Sequence, residues 1–182
     1  MRLSQLKTML AQLGLMLACS SFAMSGARSE TLGDFGPAPE IAGIQQWFNS
    51  PALSMASLRG KVVLIDFWTY SCINCIRTLP YVSKWHERYK GQGLVVVGVH
   101  TPEFPYEREA RNLATAIQRF GLSYPVAQDN RYLTWRNYDN QYWPASYLVD
   151  RQGKIRMKHA GEGNYEEIER AIRQLLAEPV AR

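Results

Sequence analysis

"KVVLIDFWTYSCINCIRTLPYV", residues 61–82, is the stretch that decides the fold. It opens with a continuous β-branched and aromatic run, too short for a helix, which predicts a strand buried on both faces. Beyond it, apolar residues recur at helical spacing (Ile76, Leu79, Val82, Trp85, Tyr89), predicting a helix that ends at Gly91. After "GQG" comes a second buried run, "LVVVGVH". Strand, helix and strand in that order signal a crossover unit in a parallel sheet.

Downstream, "YEREARNLATAIQRFG" reads as an amphipathic helix closed by Gly121, "YPVAQD" as a short strand and "NRYLTWRNYDN" as another helix. "ASYLVD" and "KIRMKH", joined by the tight-turn signal "RQG", predict an antiparallel hairpin. A last helix, "NYEEIERAIRQLLAE", has Ile168, Ile172, Leu175 and Leu176 on one side. Upstream, "EIAGIQQWFNSPALSMASLRG" mixes short apolar groups with turn signals and reads as an N-terminal extension packed on the core. The sum is an α/β fold, a central mixed β-sheet with helices on both faces, occupying residues 40–182. The 182-residue chain is long enough for one such domain with its own core.

The first 27 residues read differently. Arg2 and Lys7 lead into an apolar stretch ending in small residues, with no acid before Glu30, the pattern of a secretory signal peptide cleaved after Ala23 or Ala27. Its apolar core, roughly 10–15 residues, is short for a membrane span, which needs about 20. Cys19, in "MLACSS", resembles the lipidated cysteine of a bacterial lipoprotein signal. Two fates follow for it, an anchored first residue of the mature chain or removal with the signal. Residues 28–39, "RSETLGDFGPAP", are polar and Gly/Pro-rich and read as a linker. The formal net charge of +5 is spread among acids rather than gathered into a stripe, so no nucleic-acid partner is expected.

Whatever becomes of Cys19, the mature domain keeps Cys72 and Cys75. They stand where a buried strand gives way to a helix, with Ser71 expected as the N-cap and Cys72 in the first turn. Unpaired backbone N–H groups and the helix dipole favour a thiolate there, which makes Cys72 the reactive sulfur and Cys75, one turn deeper, the resolving one. A structural staple closing so short a loop would gain little from loop entropy. A metal centre would need more ligands than His86, His100 and His159 offer at any recognisable spacing, so no metal or other cofactor is expected, and His86 is placed on the solvated face of its helix. Asp66 is an acid inside an otherwise apolar run; if it lies beneath the thiols, burial would raise its pKa and let it take a proton from Cys75. Pro144 precedes a strand, and a cis bond there would leave the Trp143 backbone able to pair with an extended chain.

These residues resemble the thioredoxin fold, and within it the exported TlpA/ResA-like and DipZ-like thiol-disulfide oxidoreductases. "IDFWTYSCINC" is similar to the thioredoxin strand and active site, Pro80 to the proline that bends the active-site helix, and "WPASYLVD" to the segment with a cis-proline opposite the disulfide. The stretch from "GIQQWFN" to "GVHTPEF" most resembles the thioredoxin-like domain of DipZ-type proteins. The resemblance implies that Cys72 attacks, Cys75 resolves, Asp66 assists proton transfer, and Pro144, with Trp143 and Trp68, contacts substrate. Glu103 stands near an active-site acid of TlpA/ResA-like proteins, with His100 beside it; both are accessory candidates, a solvated loop acid being the alternative for Glu103. The implied partners are disulfide-containing envelope proteins and a membrane thiol reductase as electron donor, and the implied location is the periplasm or cell envelope. Ile73-Asn74 replaces the thioredoxin Gly-Pro, so the direction of electron flow stays open, with reduction favoured. Two rivals remain: a redoxin-type peroxidase, which would want a Thr and a Pro before one peroxidatic cysteine, and a non-catalytic thiol chaperone or metallochaperone.

Overall fold

The computed structural model describes residues 32–179. The signal-peptide reading, Cys19 included, lies outside the described residues. Among them, no helix is long and apolar enough to cross a membrane.

The predicted strand forms as β2 (Val62–Trp68), with all seven residues buried. Its pleat sends alternate side chains to opposite faces. Val62, Leu64 and Trp68 enter one core, Val63, Ile65 and Phe67 the other. Helix α1 (Ile73–Tyr89) follows and returns the chain to β3 (Leu94–His100), which pairs parallel with β2 from Val62↔Leu94 to Trp68↔His100. Pro80 lies inside α1, where it has no N–H to give the Ile76 carbonyl.

The next helix, α2 (Ala110–Phe120), begins four residues later than the pattern "YEREAR" suggests, because Pro105–Arg108 instead form a 3-10 turn. Gly121 ends α2 at φ 63, a left-handed conformation that glycine adopts without a Cβ penalty. Strand β4 (Val126–Gln128), the short α3 (Leu133–Asn137), the antiparallel hairpin β5 (Ala145–Val149) and β6 (Ile155–Ala160), and α4 (Tyr165–Ala177) complete the expected order.

The N-terminal extension contributes a strand that the sequence does not announce. This is β1 (Gln46–Phe48), antiparallel to β4, which extends the sheet to the order β1-β4-β3-β2-β5-β6. Asn49 fastens its end, donating to the Leu122 and Tyr124 carbonyls at 2.9 and 3.0 Å. The stretch read as a linker also belongs partly to the fold. Phe35 N–H donates to Ile155 O and Ile155 N–H to Gly36 O, and Pro37 bridges Lys154, so the fold takes in residues before 40. Backbone donors and acceptors on the β6 end reward any segment that reaches them, a gain that composition does not show.

The two cores differ in cover. One holds α1, α2 and α4 through Leu79, Val82, Trp85, Leu113, Ile172 and Leu175. The other is closed by Trp135 of α3, Tyr138 and the extension residues Ile41, Met55 and Leu58. Each fully buried Leu or Val contributes about 1.5–3 kcal/mol, which fixes the end of β2 and the start of α1 against a rigid base.

Candidate active site

Cys72 is itself the N-cap of α1, at φ −74 and ψ 116, rather than a first-turn residue. The expected cap, Ser71, has its hydroxyl engaged elsewhere, donating to Glu107 Oε1 at 2.6 Å. The Cys72 sulfur takes the capping role and accepts the Cys75 N–H at 3.2 Å. No acid occupies the first turn of α1, so the positive end of the helix dipole is available to a thiolate. Both cysteines are unpaired, with their sulfurs 2.7 Å apart; Cys72 is half-buried and Cys75 fully buried. Burial, then the hydrogen bond to Cys72 and the nearby Asp66 charge, push the Cys75 thiol far above its usual range. An incoming disulfide can reach only the outer sulfur, while the inner one is held protonated until something removes its proton.

Asp66 is that candidate acceptor. It is 1% exposed, paired across the ladder with Gly98 on β3 and Ser146 on β5. Burial raises its pKa to about 7, opposed only by the Ser146 hydroxyl, which donates to Oδ1 at 3.2 Å; Oδ2 has no partner. A Cβ at Gly98 would meet Trp68 Nε1 and Tyr124 Cε2 at 3.0 Å each, so these rings would have to give by a few tenths of an ångström to admit one. Both rings are fully buried. Trp68 is therefore not a substrate-facing residue: the pleat turns it, like Leu64, into the core, where it is fully buried. It meets the His100 ring edge-on at 5.4 Å.

His100 ends β3 and is also fully buried. Burial lowers its pKa to about 4, so it is neutral at physiological pH. Its Nε2 lies 3.2 Å from Thr69 Oγ1, and its ring stacks on Tyr70 at 5.4 Å. Glu103, the accessory candidate named with it, has an exposed side chain. The acid that turns inward from this loop is Glu107, which is fully buried. It accepts the Ser71 N–H and hydroxyl on Oε1 and the Glu103 and Phe104 N–H groups on Oε2. Burial pushes its pKa up, but bonds from Ser71, Thr69 and the two backbone amides outweigh it and leave the pKa lowered. Sequence reasoning missed Glu107 because "YERE" reads as the solvated start of a helix; only the 3-10 turn rotates this acid inward.

The Trp143–Pro144 bond is cis, and Pro144 is buried with its carbonyl accepting the Gly161 N–H at 2.8 Å. Trp143 is half-buried; its indole N–H donates to Thr101 O at 3.0 Å and its ring lies 4.2 Å from Trp135. Among the described residues the Trp143 backbone takes no backbone hydrogen bond. His86 is not on a solvated face: it is half-buried, edge-on to Tyr124 at 5.8 Å, and burial lowers its pKa. Among the described residues no group of three or more His, Cys, Asp or Glu could hold a metal ion.

Residues 37–158 match the AhpC/TSA family. The chain is 52% identical over 144 residues to protein DipZ of Mycobacterium tuberculosis, an alignment covering 78% of this chain and 21% of that protein. It thus spans about a fifth of the length of the DipZ proteins it matches. It is 28% identical over 142 residues to the thiol-disulfide oxidoreductase YkuV of Bacillus subtilis, covering 78% of this chain and 95% of that one. A thiol-disulfide isomerase from Corynebacterium glutamicum superposes with a TM-score of 0.69 at 27% identity, over 78% of this chain and 98% of its own. The family match takes in β2, both cysteines, Asp66 and the Trp143–Pro144 corner, and the chain belongs to the AhpC/TSA family, with a thioredoxin-like fold.

Proposed function

We propose that the protein is an exported reductant of protein disulfides, working in the cell envelope through Cys72 and Cys75. The observation that carries this reading is the asymmetry of the pair: an accessible sulfur capping a helix, and a buried, protonated one within bonding reach of it. The Cys72 thiolate attacks a substrate disulfide, forming a mixed disulfide and expelling one substrate thiolate. Cys75 passes its proton toward Asp66 and attacks Cys72 Sγ; the Cys72–Cys75 disulfide forms, and the second substrate thiolate leaves. Two electrons move to the substrate, and a membrane thiol reductase restores the dithiol. Trp143 and Pro144 offer an extended substrate segment its docking edge, which the unpaired Trp143 backbone supports. The apolar N-terminus supports export, with Cys19 as a lipid anchor should that cysteine be retained.

The loop before Cys72, "TYS", lacks the proline that a peroxidatic cysteine would want, which weighs against the peroxidase reading. The deciding experiment is the redox potential of the pair, measured by counting thiols after equilibration in dithiothreitol or glutathione buffers. A value near about −270 mV fits a reductant; one near about −120 mV would make the protein an oxidant and overturn the direction.

A further inference from the structure

Each of the three residues leading into Cys72 is tied to the end of β3 or to the segment that follows it. Thr69 Oγ1 meets His100 Nε2 at 3.2 Å. Tyr70 stacks on His100 and donates its hydroxyl to Tyr106 O at 3.1 Å. Ser71 donates both its N–H, at 3.3 Å, and its hydroxyl, at 2.6 Å, to Glu107 Oε1. Glu107 divides its oxygens between two partners, for Oε2 takes the Glu103 and Phe104 N–H groups at 2.6 and 2.9 Å. Among the described residues no Lys, Arg or His forms a salt bridge with it. A buried carboxylate without a counter-ion is costly unless hydrogen bonds compensate it. Here all the compensation comes from the loop it stands on and from the residues in front of Cys72.

We propose that Glu107 is a positioning residue for thiol–disulfide exchange, joining the 103–107 segment to Ser71 so that Cys72 keeps the capping geometry in which the Cys75 N–H reaches its sulfur. This rests on the reading of Cys72 as the attacking thiol. The chemistry of the carboxylate matters, because only an acceptor at both oxygens serves both partners. In Glu107→Gln the amide can keep its oxygen toward the Glu103 and Phe104 N–H groups, and its NH2 then faces the Ser71 N–H, which loses its acceptor. In the dithiol form Cys72 Sγ accepts from both the Cys75 N–H and the Cys75 S–H, and the second bond has no counterpart in the disulfide, so a displaced Cys72 costs the dithiol form more.

The test uses oxidised glutathione as substrate. The dithiol reduces it to two glutathione molecules and becomes the Cys72–Cys75 disulfide, and both the rate and the equilibrium constant are read, beside the urea midpoint. Glu107→Gln is expected to slow the reaction about tenfold, less than the roughly hundredfold that a misplacement of about 1 Å can cost, since the backbone on both sides of Cys72 stays in place. It is also expected to shift the equilibrium about fivefold toward the disulfide. Ser71→Ala should move both in the same direction by less, and the double variant should be no worse than Glu107→Gln alone, since the two share one contact. Glu109→Gln, an exposed acid on the same segment without a side-chain hydrogen bond, should match the wild type.

A Glu107→Gln protein with a lowered urea midpoint but wild-type rate and equilibrium would leave Glu107 a purely structural residue and overturn the proposal. If that variant does not fold, Ser71→Ala decides on the same two readouts. A wild-type protein that does not reduce oxidised glutathione would instead sink the exchange reading on which the proposal stands.

Discussion

Replacing Asp66 by asparagine tests whether a neutral carboxyl group is held under the thiol pair. Asp66 is 1% exposed, and its pKa is carried from 3.8 to about 7 by burial, with only the Ser146 hydroxyl opposing. In the unfolded chain the group ionises at its ordinary value. Between 3.8 and about 7, therefore, unfolding releases a proton, and the folded state loses stability as the pH rises. The loss is complete above about pH 8 and amounts to about 4 kcal/mol. The amide of Asp66→Asn would keep an acceptor for Ser146 but bring an NH2 to the unpartnered Oδ2 side, at a pH-independent cost of about 1–3 kcal/mol. The variant should then be more stable than the wild type by about 1–3 kcal/mol at pH 8.5, and equally or less stable near pH 4.5. Urea denaturation of the disulfide forms, in which neither thiol titrates, gives the difference at each pH. It should change by about 3 kcal/mol across that range. A difference that stays constant would show that Asp66 ionises in the fold as it does in water, and the proton-acceptor role would lose its basis.

Three further outcomes are expected. Brief alkylation of the reduced protein at pH 7, followed by peptide mass spectrometry, should label Cys72 and spare Cys75, which is fully buried with its thiol pushed far up. Consistently, Cys75→Ser should accumulate a mixed disulfide with substrate that Cys72→Ser does not form, and equal labelling of the two thiols would contradict the assigned roles. His100 should oppose Asp66 in the acid range: its pKa is lowered to about 4 by burial, so the unfolded state takes up a proton first as the pH falls below 6.5. Between pH 6.5 and about 4 the wild type should lose about 3 kcal/mol through this group. The stability of His100→Gln relative to the wild type should therefore rise by about 3 kcal/mol over that range, and a difference that stays constant would refute the assignment.

The strand–helix–strand core is legible because it is written in local periodicity. A seven-residue apolar run and a helical repeat report the burial of their own residues, whatever they pack against. The same locality makes the thiol pair and Asp66 stand out, since an acid inside "VVLIDFW" and two cysteines at a helix start are anomalies visible within a few positions. It also explains the errors. Likeness of position puts Trp68 and Glu103 at the site, but which way a side chain points depends on the strand pleat and on how the loop turns. Glu103 is exposed while Glu107, four residues on, is buried, a difference created by the 3-10 turn at Pro105–Arg108. Strand β1 and the strap at Phe35–Gly36 escape notice because three or four backbone hydrogen bonds can order a segment of almost any composition.

Order along the chain, fold class and the chemical character of the Cys72–Cys75 pair thus follow from residues close in sequence, where covalent geometry and hydrophobic spacing act directly. Partnership across the chain does not. Ser71 and Glu107 are 36 residues apart, and Asp66 and Ser146 80 apart. A residue's neighbours in sequence say whether it will be buried, but the donor or acceptor it meets there is chosen by the packing of two distant elements. That choice sets how the Cys72 loop is held and how far the Asp66 carboxyl is driven toward neutrality.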